Sequence, residues 1–106
     1  MILIVVKFPV KPEHAENWPD IVADYTRNTR AEAGNRFFEW SRSLEDTNTY
    51  VLVEGFDGQD AAVAHVGSDH FKWAVENLGA YISDNPRIIN VQDASDWGPM
   101  AEIQPH

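Results

Sequence analysis

The chain has 106 residues, a size typical of one domain, and it contains no cysteine, which excludes disulfides, thiolate nucleophiles and cysteine metal sites. Its 17 acidic and 8 basic residues give a formal net charge of −9, which argues against binding to nucleic acid or to anionic membranes. The apolar run Met1–Val6 is too short for a signal-peptide core or a membrane span, so we expect a cytoplasmic protein.

The N-terminal third predicts a strand followed by a helix. Residues 2–8 form an apolar run rich in β-branched side chains, which is typical of a strand. Apolar positions three and four residues apart from 13 to 33 predict one helix. Pro19 indicates that this helix begins near residue 18 or is kinked there. We expect Gly34 to end the helix in a left-handed conformation.

A hairpin is predicted next. Residues 36–43 alternate in polarity and residues 49–56 are mostly apolar, and both patterns indicate strands. The polar segment 45–48 between them is a turn, so the two strands pair with each other.

An interrupted helix and a last strand complete the chain. Asp57 is the expected N-cap of the first part, and Gly67 interrupts the helix. Ser68 can cap a second part that runs to about Ser83. The buried stripe of this second part is predicted to consist of Phe71, Ala74, Val75, Leu78 and Ile82. Residues 87–91 form the last predicted strand.

The order β-α-β-β-α-β predicts an α+β, ferredoxin-like fold with a four-stranded antiparallel sheet. In this topology the first and third strands are the adjacent central pair, and they are also the most continuously apolar segments. We interpret residues 1–92 as one domain and residues 93–106 as a C-terminal tail.

The apolar strands also predict a homodimer. Ile2–Val6 and Tyr50–Val53 are apolar at every position, so both faces of the sheet need to be covered. Two helices can cover only one face. A second copy of the chain, packed sheet on sheet about a two-fold axis, would cover the other.

The histidines do not predict a metal site. His65 and His70 are five residues apart, and on a continuous helix that spacing turns them well over a hundred degrees from each other. His14 and His106 are expected to be solvated. A bend at Gly67 could bring His65 and His70 together, but we expect no metal ligand among them.

The segment Ala64–Phe71, which reads AHVGSDHF, resembles the A-H-x-x-S-x-H-F stretch of the antibiotic-biosynthesis-monooxygenase superfamily. The resemblance includes Arg30–Asn35 and Tyr50–Glu54, and it spans roughly residues 2–92. It implies a dimeric α/β barrel that oxidises phenols, anthrones or quinols with O2 and uses neither metal nor flavin. Haem-degrading relatives carry a helix histidine after the phenylalanine, but Lys72–Glu76 contains none, so haem binding is not expected.

The first functional hypothesis is therefore a cofactor-independent monooxygenase that oxidises an aromatic, anthrone- or quinol-like small molecule with O2. An isomerase or degradative enzyme for a small oxygenated metabolite is the alternative enzyme class, since some members of the superfamily isomerise or degrade such compounds. A non-catalytic small-molecule-binding stress-response dimer is the third possibility, because the fold alone does not determine the function.

His65 is the candidate catalytic base, because a histidine with a pKa near neutrality can remove a phenol or quinol proton. The alternative is a structural role, in which His65 stabilises the interrupted helix and takes no part in catalysis. Candidate substrate-binding residues are Asn35, Phe38, Trp40, Tyr50, His70, Phe71, Trp73 and Tyr81. For the aromatic members of this set, packing in the core or the dimer is the alternative. Glu54 is either a second acid-base group or the partner of Arg36 or Arg42.

Overall fold

The computed structural model describes all 106 residues and confirms the predicted order of elements. The strands and helices are β1 (Ile2–Pro9), α1 (Trp18–Ile21), α2 (Ala23–Arg30), β2 (Asn35–Arg42), β3 (Thr49–Phe56), α3 (Gln59–Val66), α4 (Asp69–Asn77) and β4 (Arg87–Val91). Short 3-10 turns lie at Pro12–His14 and Leu78–Tyr81. Each of the two predicted helical regions is thus divided into shorter pieces.

The four strands form one antiparallel sheet in the order β2-β3-β1-β4, so the fold is the expected ferredoxin-like α+β fold with β1 and β3 at its centre. Ile4 pairs with Glu54 and Val6 pairs with Leu52, while Phe38 of β2 pairs with Glu54. Paired residues of antiparallel strands point to the same side of the sheet. This register places Glu54 on the face that the helices cover.

The first helical region is not the continuous helix expected over 13–33. α1 begins at Trp18, and Pro19 lies in its first turn, where the missing N–H costs no hydrogen bond. The chain turns again at Val22 before α2 begins. The left-handed conformation expected at Gly34 is also absent, because no glycine has a positive φ. A Cβ atom on Gly34 would lie 2.3 Å from that of Ala61, so close packing against α3 requires glycine there.

The start and end of the second helical region also differ from the prediction. The N-cap of α3 is Gly58 rather than Asp57. α4 ends at Asn77, earlier than the expected end near Ser83, and continues as a 3-10 turn. Glycine has no side chain that could cap the helix, so this end of α3 has no side-chain cap hydrogen bond.

The predicted buried stripe of α4 is wrong at Val75, which is 68% exposed. Ala74 and Leu78 are buried and lie four residues apart, on one side of the helical stretch. Val75 is rotated by about 100° from Ala74 and therefore points away from the sheet.

The core lies between the sheet and the helices. Its fully buried side chains are Trp18, Phe38, Phe56, Leu52, Val10, Val22 and Thr29. The Trp18 ring packs against Phe8 and, edge to face, against Trp40. None of the helices combines the length and the hydropathy that a membrane span requires.

The opposite face of the sheet carries apolar side chains with no helix over them. These residues are Leu3, Val5, Val51, Val53, Ile89 and Val91. Ile89 is 62% exposed and Val91 is 41% exposed. We call these six residues the open sheet face.

The C-terminal segment is attached to the start of the chain and to β2. The backbone N–H of Ala94 donates to the carbonyl of Met1 at 2.9 Å. Asp96 forms an ion pair with Arg36 at 2.7 Å. The Trp97 ring lies 5.6 Å from that of Phe37, which points to the same side of the sheet as the open sheet face.

Candidate active site

His65 and His70 meet at one carboxylate, although the sequence predicted that they point apart. His65 Nδ1 lies 2.8 Å from Glu32 Oε2, and His70 Nε2 lies 2.5 Å from the same oxygen. The predicted angle applies to one continuous helix, and a bend at Gly67 was the stated way in which the two histidines could come together. The break after Val66 places the two histidines on separate helices, α3 and α4, so the angle between them is set by the break.

Ser68 fixes the geometry of that break. Its Oγ accepts a hydrogen bond from the backbone N–H of Phe71 at 3.2 Å, which confirms it as the N-cap of α4. The same hydroxyl donates to the carbonyl of His65 at 2.6 Å. One side chain therefore joins the end of α3 to the start of α4 and sets where His70 lies relative to His65.

The second nitrogen of His65 faces two more polar groups in the interior. Tyr25 Oη lies 3.3 Å from His65 Nε2, and Glu54 Oε1 lies 3.7 Å from it. His65, Tyr25 and Glu54 are all buried, and Glu54 Oε1 has no hydrogen-bond partner. The site is thus a chain of polar groups that runs from half-buried His70 to fully buried Glu54.

Aromatic rings enclose the imidazole of His65. The ring centroids of Phe56 and Phe71 lie 4.9 Å and 5.2 Å from it, and that of Phe38 lies 6.4 Å away. These rings exclude water from the imidazole, and a medium of low polarity strengthens every electrostatic interaction inside it.

Burial shifts the pKa values of three groups toward their neutral forms. Desolvation, with the nearby Glu32 carboxylate, raises the pKa of Glu54 to about 8. Desolvation lowers the pKa of His65, and its hydrogen bond with Glu32 opposes part of that change. Desolvation and the two glutamates raise the pKa of Tyr25. At neutral pH the site therefore holds a neutral imidazole beside a protonated carboxyl group and a phenol.

Three pockets border this cluster, and two of them are lined mostly by apolar residues. One, of about 270 Å³, is lined by His65 together with Ile2, Ile4 and Phe56 and opens beside β4. The other, of about 300 Å³, is mostly apolar and is lined by Tyr25 and Phe71 among others. A small apolar molecule in either pocket would lie against a residue that contacts the His65 ring.

The other candidate residues are distributed over several surfaces. Trp40 and Tyr50 border a separate groove of about 430 Å³ against α1 and α2. Trp73 lines the third pocket beside the cluster, which has a volume of about 360 Å³ and is also lined by Tyr25 and His70. Only Phe38, His70 and Phe71 of the substrate-binding candidates lie around His65.

Asn35 and Tyr81 have structural contacts. The Asn35 side-chain amide donates to the carbonyl of Phe37 at 3.1 Å, at the irregular start of β2. The Tyr81 ring packs edge to face on His14, with centroids 5.0 Å apart. These contacts place both residues outside the polar cluster.

Glu32 and Tyr25 are the two members of the cluster that the sequence did not suggest. Glu32 lies inside Arg30–Asn35, one of the segments on which the family resemblance rests. This position in the sequence could have identified Glu32 as a candidate site residue. Neither arginine considered for Glu54 reaches it, because Arg36 pairs with Asp57 and Asp96, whereas Arg42 pairs with Glu16. Glu54 is therefore an unpaired buried carboxyl group.

The donor set of Glu32, His65 and His70 is one that a metal ion could use, since their ligand atoms lie within 4.8 Å of one another. Two ligands of a tetrahedral Zn²⁺ ion, with bonds of about 2.0–2.1 Å, lie roughly 3.3 Å apart. The separations of 2.5 and 2.8 Å from one carboxylate oxygen are shorter and correspond to hydrogen bonds. In the arrangement seen, both histidines are hydrogen-bonded to Glu32.

Comparison with known structures supports the fold. A conserved protein from Methanosarcina mazei Go1 superposes with a TM-score of 0.81 at 22% identity, covering 88% of this chain and 92% of that one. Rv0793 from Mycobacterium tuberculosis gives a TM-score of 0.81 at 18% identity, with coverage of 92% and 98%. At these identities the likeness concerns the fold alone.

The sequence comparisons identify the family. The Bacillus subtilis (strain 168) protein named "Putative monooxygenase YcnE" is 28% identical over 72 residues, which cover 68% of this chain and 76% of that protein. The family model described as "Antibiotic biosynthesis monooxygenase" matches residues 1–77, which include Tyr25, Glu32, Glu54, His65 and His70. Because this match covers well over half of the chain, the protein belongs to the antibiotic biosynthesis monooxygenase family.

Proposed function

We propose that the protein is a cofactor-independent monooxygenase that oxidises an aromatic, anthrone- or quinol-like small molecule with O2, and that His65 is its catalytic base. The observation that carries this proposal is the buried imidazole of His65, which has a carboxylate at Nδ1 and aromatic rings around it. Family membership supports the reaction class.

The base requires a neutral imidazole, and the lowered pKa of His65 supports one at neutral pH. The contact between Nε2 and the hydroxyl of Tyr25 is long, at 3.3 Å, so an acidic proton of a substrate can compete for this nitrogen. Glu32 at Nδ1 stabilises the imidazolium that forms when Nε2 takes the proton.

The reaction of an anthrone illustrates the chemistry. The CH2 group loses a proton to His65 Nε2, and the resulting anion gives one electron to O2. Recombination of the two radicals forms a C–O bond. The peroxide takes back the proton that His65 held. The neutral imidazole then removes the second proton of the former CH2 carbon while the O–O bond breaks, and the departing hydroxide takes up that proton, which leaves a new C=O group and releases water. Each anthrone consumes one O2, with one oxygen atom in the product and one in water.

The proposed enzyme is a homodimer. The open sheet face is apolar and no helix covers it, so it would expose a large hydrophobic surface in a monomer. A second copy packed sheet on sheet would bury it.

The experiment is O2 uptake by the purified protein with an anthrone and with a reduced naphthoquinone, measured above a heat-inactivated control because both compounds autoxidise. We expect uptake that scales with the protein and falls roughly a hundredfold or more in His65→Ala, the usual effect of losing a general base. His14→Ala is the matched control, since His14 stacks on Tyr81 outside the cluster. Equal rates for wild type and His65→Ala would remove His65 as the base, and uptake no greater than the control would contradict the oxygenase.

The proximity of His65 Nε2 to the protonated carboxyl group of Glu54, at 3.7 Å, also favours a second candidate, an isomerase that moves a proton on a small oxygenated metabolite. A base and an acid of this kind can enolise a carbonyl compound without O2. Strict dependence of turnover on O2 separates the two candidates.

A further inference from the structure

We infer that Glu32 is a positioning residue that holds His65 as its Nδ1–H tautomer, and that His70 in turn holds Glu32 in place. This inference deepens the proposed function and rests on the role of His65 Nε2 as the base. It assigns a task to two residues that do not touch the substrate in the proposed reaction.

The hydrogen bond at His65 Nδ1 can run in one direction only. A carboxylate can only accept hydrogen bonds, so the 2.8 Å contact with Glu32 Oε2 requires a proton on His65 Nδ1. In a neutral imidazole the lone pair then lies on Nε2. The Tyr25 hydroxyl on that side can donate to it, so both ring nitrogens have compatible partners.

The position of Glu32 in the fold leaves its side chain dependent on neighbouring residues. Glu32 lies in the turn between α2 and β2, outside any helix or strand. Such a side chain is not fixed by its own element and needs external partners. His70 supplies one, because its Nε2 lies 2.5 Å from the same oxygen that His65 contacts.

The three residues of the contact belong to three different parts of the chain. Glu32 precedes β2, His65 lies at the end of α3, and His70 lies in the first turn of α4. The contact thus ties the turn after α2 to the break between α3 and α4. A base whose tautomer and orientation are fixed in this way does not have to reorganise before it accepts a proton.

The test is ¹⁵N NMR of the histidine side chains, which distinguishes a ring nitrogen that carries a proton from one that does not. At neutral pH we expect wild-type His65 to show a protonated Nδ1 and an unprotonated Nε2. Glu32→Ala removes the acceptor, so we expect the Nε2–H tautomer, which free histidine prefers in water, to become the major form. Glu32→Gln should restore the wild-type tautomer, because its amide oxygen can still accept from Nδ1.

The control is Glu76→Ala, a change to an exposed glutamate of α4, which should leave the His65 resonances unchanged. His70→Ala should raise the Nε2–H population, but by less than Glu32→Ala does. An Nε2–H tautomer in wild type, or an Nδ1–H tautomer that persists in Glu32→Ala, would overturn the role of Glu32. An unchanged tautomer in His70→Ala would overturn the role of His70. Resonances of both histidines that move when a chelator is added would assign the cluster to a metal ion instead.

The kinetic counterpart is a loss in kcat. Glu32→Ala should lower kcat with little change in KM, since Glu32 acts through His65 and does not bind the substrate. Glu32→Gln should keep part of the activity. If the wild-type protein oxidises neither probe substrate, the proposed function fails while the NMR result still decides the role of Glu32, so the two failures are distinguishable.

Discussion

Glu54 is the residue whose environment departs furthest from what its side chain prefers. It lies on the central strand β3 among apolar side chains and forms no ion pair with either arginine considered for it. Burial raises its pKa to about 8, so it is protonated in the folded protein at neutral pH. In the unfolded chain, with its ordinary pKa near 4.5, it is ionised.

This difference makes the free energy of unfolding depend on pH. A pKa that is higher in the folded state gives stability that is present below the unfolded pKa and is lost as the pH rises through the folded pKa. The window for Glu54 therefore runs from about pH 4.5 to about pH 8. Each unit by which the pKa differs between the folded and the unfolded state corresponds to about 1.4 kcal/mol of unfolding free energy.

We predict that Glu54→Gln removes the fall in unfolding free energy that Glu54 causes as the pH rises through this window. Relative to wild type, the variant should gain between about 2 and 5 kcal/mol of unfolding free energy from the acid end of the window to its alkaline end. Urea unfolding of both proteins at several pH values across the window measures the difference between their unfolding free energies. Groups that titrate in both proteins contribute equally and cancel in this difference. A difference that does not change with pH would show that Glu54 has an ordinary pKa in the folded state.

At the residue scale the sequence predicted only part of the site. His65 was singled out by its residue type and its motif, and its role as the base stays a prediction. Glu32 was not singled out, because it contacts residues 33 and 38 positions further along the chain, and periodicity carries no information on such contacts. The structure places Asn35, Trp40, Tyr50 and Tyr81 away from the polar cluster, whereas Trp73 lines a pocket that Tyr25 and His70 also border.

At the scale of elements, the break between α3 and α4 is the feature that creates the cluster. The sequence located it correctly at Gly67 and Ser68, because glycine and a capping serine mark helix ends. It could not give the direction of α4, since that depends on packing against α2 and on the two hydrogen bonds of Ser68.

We predict that Ser68→Ala destabilises the protein by about 1 kcal/mol, the usual effect of losing a side-chain N-cap. The variant also loses the bond to the carbonyl of His65, so His70 should become more mobile. Chemical denaturation gives the stability, and the NMR resonances of His70 give the local effect. Ser95→Ala, in the exposed C-terminal segment, is the control, and equal stability of the two variants would argue against this role of Ser68.

For the whole molecule, the topology was predictable because each strand and turn had a local signal, and the β-α-β-β-α-β order admits few arrangements. The two-sided apolar character of β1 and β3 likewise indicated a sheet with an uncovered face, and the structure has one. The partner for that face is a proposal that the single chain leaves to experiment.

We predict that Val53→Asp converts a dimer to a monomer in solution, because Val53 lies on the open sheet face and a carboxylate there would be buried without a partner. Light scattering after size-exclusion chromatography measures the mass. Leu44→Asp, in the exposed turn between β2 and β3, is the control and should stay dimeric. A monomeric wild type, or a Val53→Asp variant that remains dimeric, would place any interface elsewhere.

In the proposed reaction, buried His65 removes a proton from an aromatic substrate before O2 reacts. This proton transfer can be measured separately from the reaction with O2. An anthrone mixed with the protein under strictly anaerobic conditions should accumulate as its coloured anion, because no O2 is present to consume it. We predict that the absorbance of the anion appears with wild type and with His14→Ala, and that it is lost with His65→Gln. An anion that forms equally with His65→Gln, or does not form with wild type, would contradict the assignment of His65 as the base.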